Sequence, residues 1–235
     1  MPDRPNILNF EESPTYYKST KAPPRIKAMN ETIKIVNVVC DNVHRTLSRY
    51  LHIENHVKIK KFDKSRLTAF GGNLDGFTKK LKKTIKSFQT FLDNVRTNEG
   101  DGSFEGLIAA LLERLNKKRR PFDIKEMEDP IEVILSDGFY AVFHRNWQAY
   151  FPDNQLVVID GNEFLTEPWR PIKQLQRFVG VREFINEDNF VGSDGGLPCF
   201  RENKTEDIKC IRKGQSNNLN FPKVRFQLSQ LLNSF

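Results

Sequence analysis

The sequence predicts an α/β protein in which a parallel sheet is flanked by helices. Three observations carry this. Two short apolar runs, 33–39 and 156–159, are rich in β-branched residues and read as buried strands. A long stretch with helical spacing separates them. Each run then turns, at Asp41-Asn42 and at Asp160-Gly161, into sequence with helix-start signals. Strand, helices, strand, helix is the order of a parallel layer fold. The 235 residues suit one domain over 1–235.

Residues 1–24 are polar and punctuated by proline, and predict irregular or edge structure; Pro14 bars a helix interior there. A short helix is expected over 24–30. The stretch 33–50 then runs from strand to helix, with Asp41 as the candidate N-cap. Arg45 and Ser48 lie three apart and share a helix face. A helix N-terminus offers unpaired N–H groups and a favourable dipole to an anion, so a phosphate subsite is one reading. A strand and helix that only pack is the other.

The helix is expected to run on for a turn or two towards a basic tract at 56–67, and Gly71-Gly72 breaks the chain. Over 74–95, Phe77, Leu81, Ile85, Phe88, Leu92 and Val95 recur at three- and four-residue steps, which predicts an amphipathic helix. Lys79, Lys80, Lys82, Lys83 and Lys86 fall on its other side, as a solvated face or a polyanion-binding ridge. A loop at 98–103 precedes a helix over 104–115 and a cationic run at 117–120, suited to a helix C-terminus. Residues 130–151 read as one long helix ended by Pro152. After the second strand, 167–169 opens a helix with Ile172, Leu175, Phe178 and Val179 on its apolar side. The chain from 192 reads as loop-rich, with Arg212-Lys213-Gly214 as a weak phosphate-approach signal, and 221–235 as a last helix.

A net charge of +7 favours a polyanionic partner without choosing among them. Nucleic acid is disfavoured, because no aromatic-basic recognition motif is present. Of three cysteines, none forms a CxxC pair, so no zinc or other metal site is predicted. Cys199 and Cys210 bracket a polar loop; one disulfide and two free thiols are both compatible with the count. Sequons at Asn30 and Asn203 fit a secretory route. No run is long and apolar enough to predict a transmembrane segment, and the first ten residues lack the apolar core of a signal peptide.

Several segments, in order, resemble the Golgi heparan sulfate sulfotransferases, with the glucosamine 3-O-sulfotransferases most similar. EESPTYY at 11–17 resembles the family's E-K-T-P-x-Y, and VVCDNVHRTLSRY at 38–50 its L-R-D-P-x-x-R-x-x-S-x-Y. Residues 140–152 are similar to its W-x-x-x-F-P helix end, and VVIDGNEFLTEPWRPIKQLQRFVGV to its L-Q-x-x-x-x-F-L-G-L stretch. GLPCFR and KCIRKG resemble its paired-cysteine loop. The resemblance is weakest over 51–128. It implies a P-loop-like fold, 3'-phosphoadenosine 5'-phosphosulfate as sulfuryl donor with no metal, and a glucosamine hydroxyl of heparan sulfate as acceptor. By motif match Ser48, Cys40 and Arg45 fall at the donor's 3'-phosphate. Lys213 and Gly214 fall in a loop closing on the nucleotide, and Cys199 and Cys210 in the disulfide that shapes it. An N-sulfotransferase domain shares these motifs, and a non-catalytic relative holding an anionic glycan on the lysine ridge is the further alternative.

The departures are specific. Cys40 stands where the family has Arg, and loss of that charged clamp is expected to weaken binding by about 1.5–3 kcal/mol. Glu12 replaces Lys, Asn42 replaces Pro, Pro198 replaces Tyr and Gln215 replaces Arg. The family's first strand and glycine-rich phosphosulfate loop, with its general base, belong before Glu11, where ten residues without glycine stand. The sheet is therefore expected to be incomplete at the N-terminus, by truncation (which would also remove a Golgi anchor) or by degeneration, and no catalytic residue is assigned.

Overall fold

The computed structural model describes residues 8–13, 15–98, 103–118, 129–194, 197–201 and 207–210. Lys213, Gly214, Gln215, the sequon at Asn203, Arg119, Arg120 and the helix expected over 221–235 lie outside these residues.

Helix α1 (Ala22–Met29) carries two prolines in its first turn, where their missing N–H groups cost nothing, and so starts two residues before the expected 24. Strand β1 (Ile35–Val39) follows and pairs in parallel with β2 (Leu156–Asp160), from Ile35 opposite Leu156 to Val39 opposite Asp160. Between the two strands the described residues form α2 (Asn42–Lys58), α3 (Lys64–Ala69), α4 (Leu74–Asn98), α5 (Phe104–Lys118), α6 (Pro130–Ser136) and α7 (Tyr140–Gln148). After β2 come α8 (Glu163–Thr166) and α9 (Trp169–Val179), the latter ended by Gly180 in the left-handed region at φ 81°. An antiparallel sheet of β3 (Phe190–Asp194), β4 (Leu197–Arg201) and β5 (Ile208–Cys210) ends the described chain.

The α/β class therefore stands, with the main core among helices. Leu47 and Tyr50 of α2, Phe77, Leu81 and Phe88 of α4, and Ile131, Leu135 and Phe143 of α6 and α7 are buried together. Each such side chain contributes roughly 1.5–3 kcal/mol by leaving water. Tyr50 stacks on Phe77 with ring centroids 4.7 Å apart, which seats α4 on α2. A smaller cluster of Ala22, Trp147, Phe151 and Leu156 joins α1 and α7 to β2.

Three expectations need correction. The first strand is not buried on both faces: it starts at Ile35, Val36 and Val38 are 36% and 54% exposed, and Asn37 is its one buried residue. The helices behind it pack chiefly on one another. The helix expected over 130–151 is two helices, broken at Asp137-Gly138-Phe139. The break is fixed from outside: Lys18 pairs with Asp137 at 2.7 Å, and the Asn42 side chain fills the space beside Gly138. Where loop was expected after 192, the described residues there belong to a three-stranded sheet that begins at Phe190. A bulge between Phe190 and Ser193, and a proline in β4, disguise the alternation that would have signalled strands.

Candidate functional site

β1 and β2 end side by side at Val39 and Asp160. The carboxyl end of a parallel pair, where strands turn into helices, is where α/β proteins place ligands. Two turns are locked together there. Gly161 N donates to Val39 O, and Asp41 N donates to Asn162 Oδ1 at 3.4 Å. A Cβ on Gly161 would stand 2.5 Å from Cys40 Sγ, so the close approach of these turns requires glycine. Asp160 Oδ1 accepts from both the backbone and the side-chain nitrogen of Asn162, which fixes the second turn. α8 starts at the next residue and packs against β4, so the small sheet lies on this side of the molecule.

Asp41 caps α2, as expected: its Oδ1 accepts from His44 N at 2.7 Å and contacts His44 Nδ1 at 2.9 Å. Arg45 N is bonded to Asp41 O. Among the described residues, nothing accepts from the N–H groups of Asn42 and Val43 or pairs with the Ser48 hydroxyl. Ser48 is seven residues after Asp41 and stands above the mouth of the helix on the same stripe.

Arg45 is held inside the junction. Its guanidinium donates to Asn42 Oδ1 at 2.8 Å and to Ile134 O at 2.7 Å. Both acceptors are neutral, and among the described residues no carboxylate lies within ion-pair distance. Burial lowers its pKa, opposed by Tyr140 and Asp137, and the group stays a cation at neutral pH. Its charge thus sits one turn inside the helix without a counter-ion in contact. Asn42 is the hinge of this arrangement, since its Nδ2 donates to Gly138 O at 3.2 Å.

The Tyr140 hydroxyl accepts from Cys40 N at 3.5 Å. Burial raises the tyrosine pKa, against the pull of Arg45. Partial desolvation against the facing turn, then Asp160, raises the Cys40 thiol pKa, opposed by Arg45, although the residue as a whole is exposed. Tyr17 steadies the back of the junction: its hydroxyl donates to Tyr140 O at 2.9 Å, and Trp147 Nε1 donates to Tyr17 O at 2.9 Å.

Of the residues singled out in the sequence, Cys40, Arg45 and Ser48 are thus in one junction. Cys199 and Cys210 are bonded to each other across β4 and β5, where they are paired residues in the register. Asn30 is exposed just after α1, its Oδ1 accepting from Thr32 N at 2.9 Å. Sequence reasoning gave no role to Gly138, Tyr140 or Asn162. The Asp-Gly pairs at 137–138 and 160–161 were the available signals.

The chain is 25% identical over 230 residues to human bifunctional heparan sulfate N-deacetylase/N-sulfotransferase 3, covering 96% of this chain and 20% of that protein. Over 210 residues it is 21% identical to human heparan sulfate glucosamine 3-O-sulfotransferase 3B1, covering 89% of this chain and 38% of that protein. Over most of its length the chain is thus similar to heparan sulfate sulfotransferases of both kinds. It therefore spans a minor part of the length of both relatives. A mouse N-deacetylase/N-sulfotransferase, number 4, is 24% identical over 230 residues. No protein-family model matches the chain. No helix of the described residues is long and apolar enough to cross a membrane.

Proposed function

We propose that this chain is a heparan sulfate sulfotransferase, using 3'-phosphoadenosine 5'-phosphosulfate to sulfate a glucosamine residue. In the reaction a glucosamine oxygen or nitrogen bonds to sulfur, the bond from sulfur to the phosphate oxygen breaks, and adenosine 3',5'-bisphosphate leaves. The acceptor's proton passes to a base that these residues do not identify. The 3-O hydroxyl is the acceptor favoured by the motif resemblance, and the glucosamine nitrogen is the alternative, since relatives of both kinds match.

The observation that carries this reading at the site is the uncompensated Arg45 charge behind two unpaired α2 amides and the Ser48 hydroxyl. An anion there would neutralise a half-buried cation and satisfy N–H groups at a helix start. In this reading Ser48 and the α2 amides hold the 3'-phosphate, Arg45 supplies potential from inside, and Cys40 is a place where a direct clamp is missing. Lys213 and Gly214 close on the nucleotide, the fold is a P-loop-like sheet, and 1–235 acts as a single domain. The disulfide supports an oxidising Golgi lumen as the setting, with glycans on Asn30 and Asn203.

A second reading, a non-catalytic relative that binds anionic glycan, has its own support. Cys40 cannot clamp phosphate, and the Asp41 carboxylate sits at the helix mouth and already occupies His44 N.

Two measurements separate these readings. Adenosine 3',5'-bisphosphate is expected to bind by titration calorimetry, with Ser48→Ala weakening it by about tenfold. Radiolabelled donor and heparan sulfate are expected to give labelled polysaccharide. Nucleotide binding without transfer would reject the enzyme, and absence of both would reject the nucleotide site.

A further inference from the structure

His52 and His56 lie one helical turn apart on α2, so their side chains share a face. Their ring centroids are 4.0 Å apart. His56 Nδ1 is 2.8 Å from His52 O. A carbonyl oxygen only accepts, so Nδ1 carries the proton, and the neutral ring keeps a lone pair on Nε2. Metal-bound histidines are held in the same way, the second nitrogen donating to a carbonyl or carboxylate. Among the described residues, no hydrogen bond or ion pair engages His56 Nε2 or either ring nitrogen of His52, and none of these atoms is sealed from solvent.

The chain that follows holds the pair from the side. Lys60, at φ 58°, turns the backbone after α2. Lys61 N and Phe62 N then both donate to His56 O, at 2.8 and 3.1 Å. This sets the Phe62 ring against His56, with centroids 4.8 Å apart, and edge-on to His52 at 6.1 Å. The Arg66 guanidinium of α3 lies 4.5 Å from the Phe62 ring centroid. The two imidazoles are thus restricted before any ligand arrives, which lowers the cost of binding.

We propose that His52 and His56 chelate a divalent transition ion of the kind that prefers imidazole: Ni²⁺, Cu²⁺ or Zn²⁺. The cysteines gave no metal site; the donors here are neutral nitrogens at helical spacing. Among the described residues no third histidine, cysteine or carboxylate joins them. The pair therefore lacks the closed four-ligand shell of a structural zinc, so the remaining positions fall to water and the ion exchanges. It also lacks the oxygen donors that Mg²⁺ and Ca²⁺ require. Chelation carries the affinity, because the second ligation is intramolecular once the first imidazole is bound. The proposal does not depend on nucleotide binding or on sulfuryl transfer.

The test is a calorimetric titration of the full chain with nickel chloride. His52→Gln and His56→Gln are each expected to weaken binding by about tenfold or more. The double variant is expected to lose little beyond either single one, since a chelate fails when one donor goes. His144→Gln is expected to bind within about twofold of the wild type. Magnesium chloride is expected to give no heat of binding. In histidine NMR spectra, zinc chloride is expected to shift His56 Nε2 while Nδ1 stays protonated, a change that loss of folding could not produce. No loss in either single variant, or an equal loss in His144→Gln, would overturn the proposal. So would binding of magnesium at similar affinity, or an unchanged His56 Nε2 resonance.

Discussion

Asn42 and Gly138 share a single space: a Cβ on Gly138 would stand 1.8 Å from Asn42 Oδ1. The same amide joins the α6–α7 break to Arg45, so one contact sets both the bend and the position of the half-buried cation. Gly138→Ala is therefore expected to destabilise the protein by about 1–3 kcal/mol, read as a lower urea midpoint. Combining it with Asn42→Ala should recover part of the loss. Strictly additive losses would show that the two residues do not compete for this volume.

Cys40 lies at the end of β1 with its side chain exposed. Arg has room to extend into solvent there, and the family resemblance has Arg at this position. Cys40→Arg is expected to tighten adenosine 3',5'-bisphosphate binding by about tenfold or more, with the gain shrinking at high salt. A salt-independent change, or none, would count against a phosphate beside this residue.

His52 stacks near His56, with ring centroids 4.0 Å apart. Burial, then His56 and Arg49, lowers its pKa below the usual histidine value. The unfolded chain then takes up a proton more readily than the folded one. Stability from neutral His52 is complete above about pH 6.5 and is lost as pH falls through the lower folded value. Between about pH 7.5 and pH 5.5, the wild-type melting temperature is expected to fall further than that of His52→Gln. Parallel falls would exclude this histidine as the source.

Cys199 and Cys210 close a loop of eleven-residue separation between paired strand positions. Their bond is expected to stabilise the small sheet by about 3 kcal/mol through the entropy of the unfolded loop. Reduction should therefore raise amide exchange in β4 and β5 well before it affects α2 or α4. Uniform acceleration across the chain would mean that the sheet and helices unfold together.

The periodic parts of this fold were legible in the sequence. Phe77, Leu81, Ile85 and Phe88 announced α4 because a helix buried on one side repeats its apolar residues. Asp41 announced a cap because its short carboxylate suits a helix start. What escaped was decided by contacts between distant segments. Nothing near Gly138 in the chain reveals that Asn42 fills the space beside it, 96 residues away in sequence. Likewise the motif marked Arg45 as a residue for phosphate, while its hydrogen bonds go to Asn42 and Ile134, a partner that spacing along one helix cannot disclose.

Asp41 and Asn162 meet across 121 residues that include the six helices α2 to α7. Bringing such remote points together carries an entropic cost that the intervening helices must first offset by packing. The two strand ends should therefore be the last region to become ordered and the first to loosen. A substitution deep among the helices, such as Phe88→Leu, is then expected to weaken nucleotide capture from a distance, with hydrogen exchange at Cys40 and Asp41 rising before any global unfolding.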